Sequence, residues 1–486
     1  PIIKTTQANH TKTYDKSNPE FQLNPKFKMD KLFPGTPISS GIGASPPPPT
    51  LYTQLENGLT VASQEIPGMM TSAALIVRTG SAYEEPEETG VTHFLELNAF
   101  RSTKNRTHEE VISQVEQLGG MVQCIASREN IIYVIDVMRH EAQHGFDILA
   151  DTILNPIFPE EELEESRAIV TYQQTELPSE IFSRDLLQRA AYQNSPLSNH
   201  HYCPIDNIHN INNNKLNNFR KKHYYSGNCI LAVAGMDHET AIKYAKKSFQ
   251  NLPILMNNQE NKPYIRKPDG LDKYKPSKYT GGMLTQTREL KEPFVKLAMG
   301  FETGGWNDEN LVPICVLQQL LGGGSSFSAG GPGKGMYTRL YTQVLNRNYW
   351  TESVESFVSI HENSGILGID GACGEDKLVN LIQVIVQQFT NLATEKVNDI
   401  ELNRAKNMLK SSMMMQLESR LVQCEDIARQ FITYNKRDTQ LFMCSKIDSV
   451  TSDDILKVAQ LMLTKPPSIG VVGHNLQYLP SYEQIE

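Results

Sequence analysis

Three short patterns in this chain occur twice, in the same order and about 220 to 240 residues apart. Thr79-Gly80 returns as Thr303-Gly304, each after an apolar run and before a helical pattern. Glu164 with Arg167-Ala168 returns as Glu401 with Arg404-Ala405, each early in a long helical stretch. Ile230 to Met236 returns as Ser468 to His474. Order and spacing kept together are the mark of a duplicated unit, so the chain must fold as two related halves. The expected division is an N-terminal arm over 1–50, a first half over 51–251, a linker over 252–285 and a second half over 286–486. The linker is rich in Asn, Lys, Pro and Gly and shows little periodicity.

Local patterns make each half α+β. Asn57-Gly58 between two alternating runs predicts a hairpin. Ala73–Thr79, Met121–Ala126, Ile131–Met138 and Ile230–Ala234 read as strands. Thr107 and Glu110 form a capping box before a helix that Gly119 closes. Helices are expected over Arg139–Leu154 and Glu160–Glu176, and another from the Asp237 cap to about Phe249.

Composition narrows the function classes. Apolar residues make up 39% and charged residues 21%, ordinary for a globular protein, and the formal net charge of -9 argues against a nucleic-acid surface. Seven scattered cysteines without a CxxC pair argue for free thiols in a reducing compartment. No apolar run approaches the length that crosses a bilayer, so any membrane association is expected through partners. The chain opens at Pro1, and its first 50 residues hold Lys but no Arg and end in four prolines. They read as an extended arm of a mature protein, not as a transit peptide.

The most unusual stretch is Leu321 to Trp350, whose first part is LGGGSSFSAGGPGKGMYTRLY. Such a loop can take positive φ and let a ligand approach the backbone. A phosphate cradle does not fit: Ser328 stands where a Walker loop needs its first Gly, and Gly335 follows Lys334 where Ser or Thr is required. Apolar helical patterns flank the run, Val312–Leu321 before it and Met336, Leu340, Tyr341, Val344 and Leu345 after it. From GGGSSFSAGGPGKGMYTRLY into VLNRNYW the stretch closely resembles the glycine-rich loop of mitochondrial processing peptidase alpha subunits, pitrilysin-type metallopeptidase relatives. The resemblance implies a clam-shell pair of sheet-plus-helix halves and a loop that contacts the presequence. Its residues here are Gly322, Gly323, Gly324, Ser325, Ser326, Phe327, Ser328, Gly330, Gly331, Pro332, Gly333, Lys334 and Gly335.

Pitrilysin-type enzymes hold zinc with His-x-x-Glu-His and a distant Glu. Residues at i, i+3 and i+4 share a helix face, so two imidazoles can grip one ion with a base beside its water. Here His93 and Glu96 match the first ligand and the base, but Leu97 replaces the second histidine and Gln173 the distant glutamate. Leucine has no donor atom, so the expectation is no catalytic residue and no metal in this chain. His93 and Glu96 should survive as a hydrogen-bonded pair in a cleft. A literal HExxH at His140–His144 should face solvent, because Ala142, Phe146, Leu149 and Ile153 define the opposite, apolar face.

Two acidic runs could attract a basic presequence, but Glu84–Glu88 reads as a solvated loop and Glu160–Glu165 as a helix start favoured by the dipole. Met413–Met415 reads as core packing in a long helix. The resemblance implies a non-catalytic, presequence-recognising subunit of a heterodimeric metalloendopeptidase, with zinc in its beta partner. It also implies a place in the mitochondrial matrix or on the matrix face of the inner membrane. In some lineages such subunits are core subunits of respiratory complex III, and a purely structural role in that cytochrome bc complex is the alternative.

Overall fold

The computed structural model describes residues 48–257, 262–265, 276–288, 294–326 and 335–486. The arm before residue 48, parts of the linker, and Phe327, Ser328, Gly330, Gly331, Pro332, Gly333 and Lys334 of the glycine loop lie outside them. Residues 48–486 form one compact unit.

The first sheet contains β1 (Leu51–Gln54), β2 (Thr60–Gln64), β3 (Met70–Val77), β4 (Met121–Ala126), β5 (Ile131–Met138) and β6 (Cys229–Ala234) in the order β1-β2-β6-β3-β5-β4. The β1–β2 hairpin turns through Asn57-Gly58, where Gly58 has φ 95°. After a small ribbon, β7 (Met256–Asn257) with β8 (Lys262–Pro263), a second sheet follows. It holds β9 (Gly282–Thr287), β10 (Val295–Thr303), β11 (Gly323–Ser325), β12 (Thr351–Ile360), β13 (Gly365–Cys373) and β14 (Ser468–Gly473), ordered β11-β12-β13-β10-β14-β9.

The internal repeat is visible strand by strand. In each half one parallel pair, β2 with β6 or β9 with β14, is followed by three antiparallel pairings that reach β4 or β12, and in the second half β11 adds a fourth. Strand β9 begins inside the segment read as linker. Its sequence GMLTQT carries little alternation, and parallel pairing with the buried β14 makes it a strand.

Period 2 divides the first sheet's faces. Leu75, Val77, Ile131, Tyr133, Ile135 and Leu231 pack on Phe94, Phe146 and Leu149 of the half's own helices. The alternate residues Ala74, Ile76, Ile132, Val134 and Ala232 pack instead on Cys424, Ile427, Ala428 and Phe431. Those four belong to the helix Arg420–Tyr434, which the second half contributes. The return exchange is the helix Ser179–Ala191 of the first half, laid over β14 and β10 with Phe182 and Leu186 against Val472. It lies so close that a Cβ at Gly470 would come within 2.1 Å of the Ser183 carbonyl. Ion pairs clamp both exchanges: Arg420 grips both oxygens of Asp136 at 2.8 and 2.9 Å, and Arg184 and Lys296 reach Asp370 and Glu180.

The equivalent hairpin tips also meet across the halves. Both oxygens of Glu129 accept from the Glu362 N–H, at 2.9 and 3.2 Å. Among the described residues no helix is long and apolar enough to cross a membrane. All seven cysteines are free.

Candidate functional site

The helix Val91–Leu97 carries the degenerate zinc motif, and its first turn is built around one carboxylate. Gly90 precedes it at φ 95° and provides no side-chain cap. Glu84 supplies the missing acceptor, taking the N–H of Gly90 at 2.8 Å and both the N–H and hydroxyl of Thr92 at 2.7 Å. Glu84 is 6% exposed, and burial raises its pKa to about 7 despite those bonds. The reading of Glu84–Glu88 as a solvated loop is therefore corrected: Glu84 is inside because the helix needs an acceptor there. Glu88 pairs with Lys222.

His93 is 3% exposed and accepts the Cys203 N–H at Nδ1 over 3.2 Å. Burial pushes its pKa down to about 4, and the Gln173 side chain beside it opposes that shift. Gln173 thus stands against His93, yet its Oε1 is buried with no hydrogen-bond partner of good geometry. Glu96 turns toward β4, where it accepts from the Ala126 N–H, and burial raises its pKa to about 7. The expected His93–Glu96 hydrogen bond does not form. In this short helix the residues three apart diverge onto two different neighbours, the 200–204 segment and the sheet edge.

The rest of the surroundings mixes neutral rings with one ion pair, Arg128 with Asp185, whose Oδ1 accepts the His201 N–H at 3.4 Å. Tyr202 meets the His93 ring edge-on at 5.3 Å, and burial pushes His201 down to about 4. Cys124 sits near Glu96 with its thiol pushed up by burial. Gly90 lies so close to Cys203 that a Cβ there would fall 2.4 Å from its Sγ. The sequence reading missed this whole wall, although the adjacent His200-His201-Tyr202-Cys203 in an irregular segment was a visible signal.

These residues do not suit zinc. A protein zinc site needs three or four N, S or carboxylate donors converging tetrahedrally. The position offers one imidazole whose Nδ1 is engaged, a neutral amide and the hydrocarbon of Leu97.

The HExxH at His140–His144 straddles a 3-10 turn, Arg139–Glu141, and the helix Ala142–Leu154. His140 and His144 side chains are 67% and 70% exposed, and His144 bonds Glu141 at 2.7 Å, while Ala142, Phe146, Leu149 and Ile153 are buried. The two imidazoles face solvent.

The base of the glycine loop is closely held. Gly322 ends the helix Leu311–Leu321 at φ 57°, and Gly323 and Gly324 enter β11, paired with Glu355 and Val354 of β12. A Cβ at Gly323 would come within 2.1 Å of the Val354 carbonyl, so only glycine lets the loop join the sheet there. Ser325 pairs with Ser353, and the Ser326 N–H donates to the Glu352 carbonyl at 2.8 Å. On the exit side the Thr338 hydroxyl donates to the Gly335 carbonyl at 2.7 Å and accepts the Gly323 N–H at 3.2 Å. Arg339 is fixed by Glu401 through two bonds, 2.6 and 3.1 Å. The helix expected after the loop is a single π-helical stretch, Leu340–Leu345, which buries Leu340, Tyr341, Val344 and Leu345. Met413 packs partly on the second core, but Met414 and Met415 are 41% and 62% exposed. Three consecutive helix positions cannot share one face, which corrects the reading of all three as core.

Comparison with known proteins agrees with this architecture. The family model described as Insulinase (Peptidase family M16) matches residues 60–205, and the one described as Peptidase M16 inactive domain matches 210–409. The Solanum tuberosum protein named mitochondrial-processing peptidase subunit alpha is 33% identical over 99% of this chain and 96% of its own length. The Homo sapiens protein of that name is 31% identical, covering 95% and 91%. A chain of the solved structure "Complex III2 from Candida albicans, Inz-5 bound" superposes with TM-score 0.74 over 90% of this chain and 98% of that one, at 17% identity. The duplicated α+β halves and this near full-length similarity lead to one statement: the chain belongs to the insulinase family, peptidase family M16, beside the members named mitochondrial-processing peptidase subunit alpha.

Proposed function

We propose that this chain is the non-catalytic alpha subunit of a mitochondrial processing peptidase, binding presequences for cleavage by a zinc-bearing beta partner. The observation that carries it is a contrast within one molecule. The metal position has lost its donors, while the glycine loop keeps both anchors, at Gly322–Ser326 and at Gly335–Arg339. A loop held at both ends can meet an extended peptide without ordering the whole segment anew. Gly322, Gly323, Gly324, Ser325, Ser326 and Gly335 form its base, and Phe327 to Lys334 lie between these anchors in the sequence. The work is done in the mitochondrial matrix or on the matrix face of the inner membrane.

The test replaces 327–334 with a short Gly-Ser link, leaving both anchors in place, and measures binding of a fluorescent presequence peptide to the heterodimer. Affinity should fall about tenfold or more with the thermal midpoint unchanged. Unchanged affinity would refute the loop's role.

A second reading, a structural core subunit of complex III, is favoured by the likeness to a chain of that assembly. Co-purification with cytochromes supports it; a heterodimer free of them supports the first reading alone.

A further inference from the structure

Between the helix Asn213–His223 and the segments 153–157 and 251–253 of the first half lies a groove of about 530 Å³. Lys104, Arg220 and Lys221 line it together with five asparagines, and no carboxylate does among the described residues. Arg220 is held rigidly. It stacks over Phe158 and Tyr224 at 5.7 and 5.5 Å, donates to the Ile153 carbonyl, and donates through Nη1 to the Asn217 Oδ1 at 3.2 Å. Asn217 in turn donates to the Asn213 Oδ1 at 2.7 Å, so one row of amides is ordered toward the guanidinium. Burial lowers the Arg220 pKa, and among the described residues Tyr224 and Tyr133 oppose that shift. A guanidinium taken this far out of water normally faces an anion. The ammonium groups of Lys104 and Lys221 are exposed and make no ion pair among the described residues.

We propose that this groove binds a phosphate ester: Arg220, Lys104 and Lys221 take the phosphate, and the amides of Asn214, Asn218 and Asn251 take the hydroxyls of the group attached to it. The planar fork of arginine matches a phosphate's oxygens, and two further cations match its charge beyond −1. The volume exceeds that of inorganic phosphate and lies in the range of small-molecule sites. The lining also carries Ile157, exposed by 39%, with Leu154 and Pro156, where the carbon portion of an ester would lie.

Two sources share this chemistry, a soluble phosphorylated metabolite and an anionic phospholipid headgroup. Full-length protein is titrated with glycerol 3-phosphate and, separately, with phosphatidylglycerol vesicles, phosphatidylcholine vesicles serving as reference. Saturable binding is expected in at least one arm; tight vesicle binding with weak glycerol 3-phosphate assigns the lipid, and the reverse assigns the metabolite. The exposed double variant Lys104→Gln, Lys221→Gln should weaken binding about tenfold or more. Lys396→Gln with Lys457→Gln in the second half makes the same charge change on exposed lysines and should leave it unaltered. Asn218→Asp, which brings a carboxylate to the groove, should weaken binding in the same direction. Absence of binding in both arms overturns the assignment, and so does equal weakening by the control pair.

Discussion

At the scale of single residues, the remnant of the zinc motif titrates unusually. Glu96 has its pKa raised to about 7 by burial, against 4.5 for a free glutamate, so the folded chain keeps a proton that the unfolded chain releases between those values. Below about pH 4.5 both states are protonated and Glu96 costs nothing; as pH rises through 7 the buried carboxyl must ionise and stability is lost. Glu96→Gln should therefore be more stable than the parent at pH 8, by about 1–3 kcal/mol, and equal to it near pH 4.5. Urea denaturation at the two pH values measures the difference. A constant gap at both would mean that Glu96 does not titrate in this range. His93 slopes the other way: with its pKa lowered to about 4, the folded chain refuses a proton that the unfolded one accepts, so stability falls as pH drops from about 6.5 to 4.

At the scale of elements, the exchanged helices are the vulnerable pieces. Arg420→Ala strips Asp136 of its three guanidinium bonds and leaves the carboxylate, 15% exposed, with Ser72 alone among the described residues. The expected loss is about 2–4 kcal/mol in denaturant unfolding. Arg420→Ala with Asp136→Asn should recover part of it, since the unpaired charge goes too. Helices and strands with their own punctuation were legible in the sequence: the Thr107–Glu110 capping box and the strand limits of β4 and β5 are found where the residues predict. What could not be read was which sheet a helix covers. Cys424, Ile427, Ala428 and Phe431 announce an apolar face, but nothing in their spacing says that Ile76 and Val134 of the other half lie beneath it. Glu84 was misread for a similar reason. A carboxylate in a polar run looks solvated until a helix start without its own cap is folded against it. At the zinc remnant, the motif gave His93 and Gln173 as neighbours, whereas their wall, Tyr202 and Cys203, comes from residues more than a hundred positions after His93.

At the scale of the whole molecule, reciprocal exchange makes each half incomplete. Expressed alone, residues 48–251 would expose Ala74, Ile76, Ile132 and Val134 on a bare sheet face and carry Ser179–Ala191 with nothing to lie on. Each half should therefore aggregate by itself, and the two co-expressed from separate messages should yield a soluble complex by size-exclusion chromatography. Monomeric, cooperatively folded single halves would contradict this account of the core. The same interlocking governs how the polypeptide bears tension. Because each half's sheet lies under the other's helix, a pull on the two termini has no seam to open first. Stretched in an optical trap, residues 48–486 should yield in one rupture, where a pair of independent beads on a string would give two.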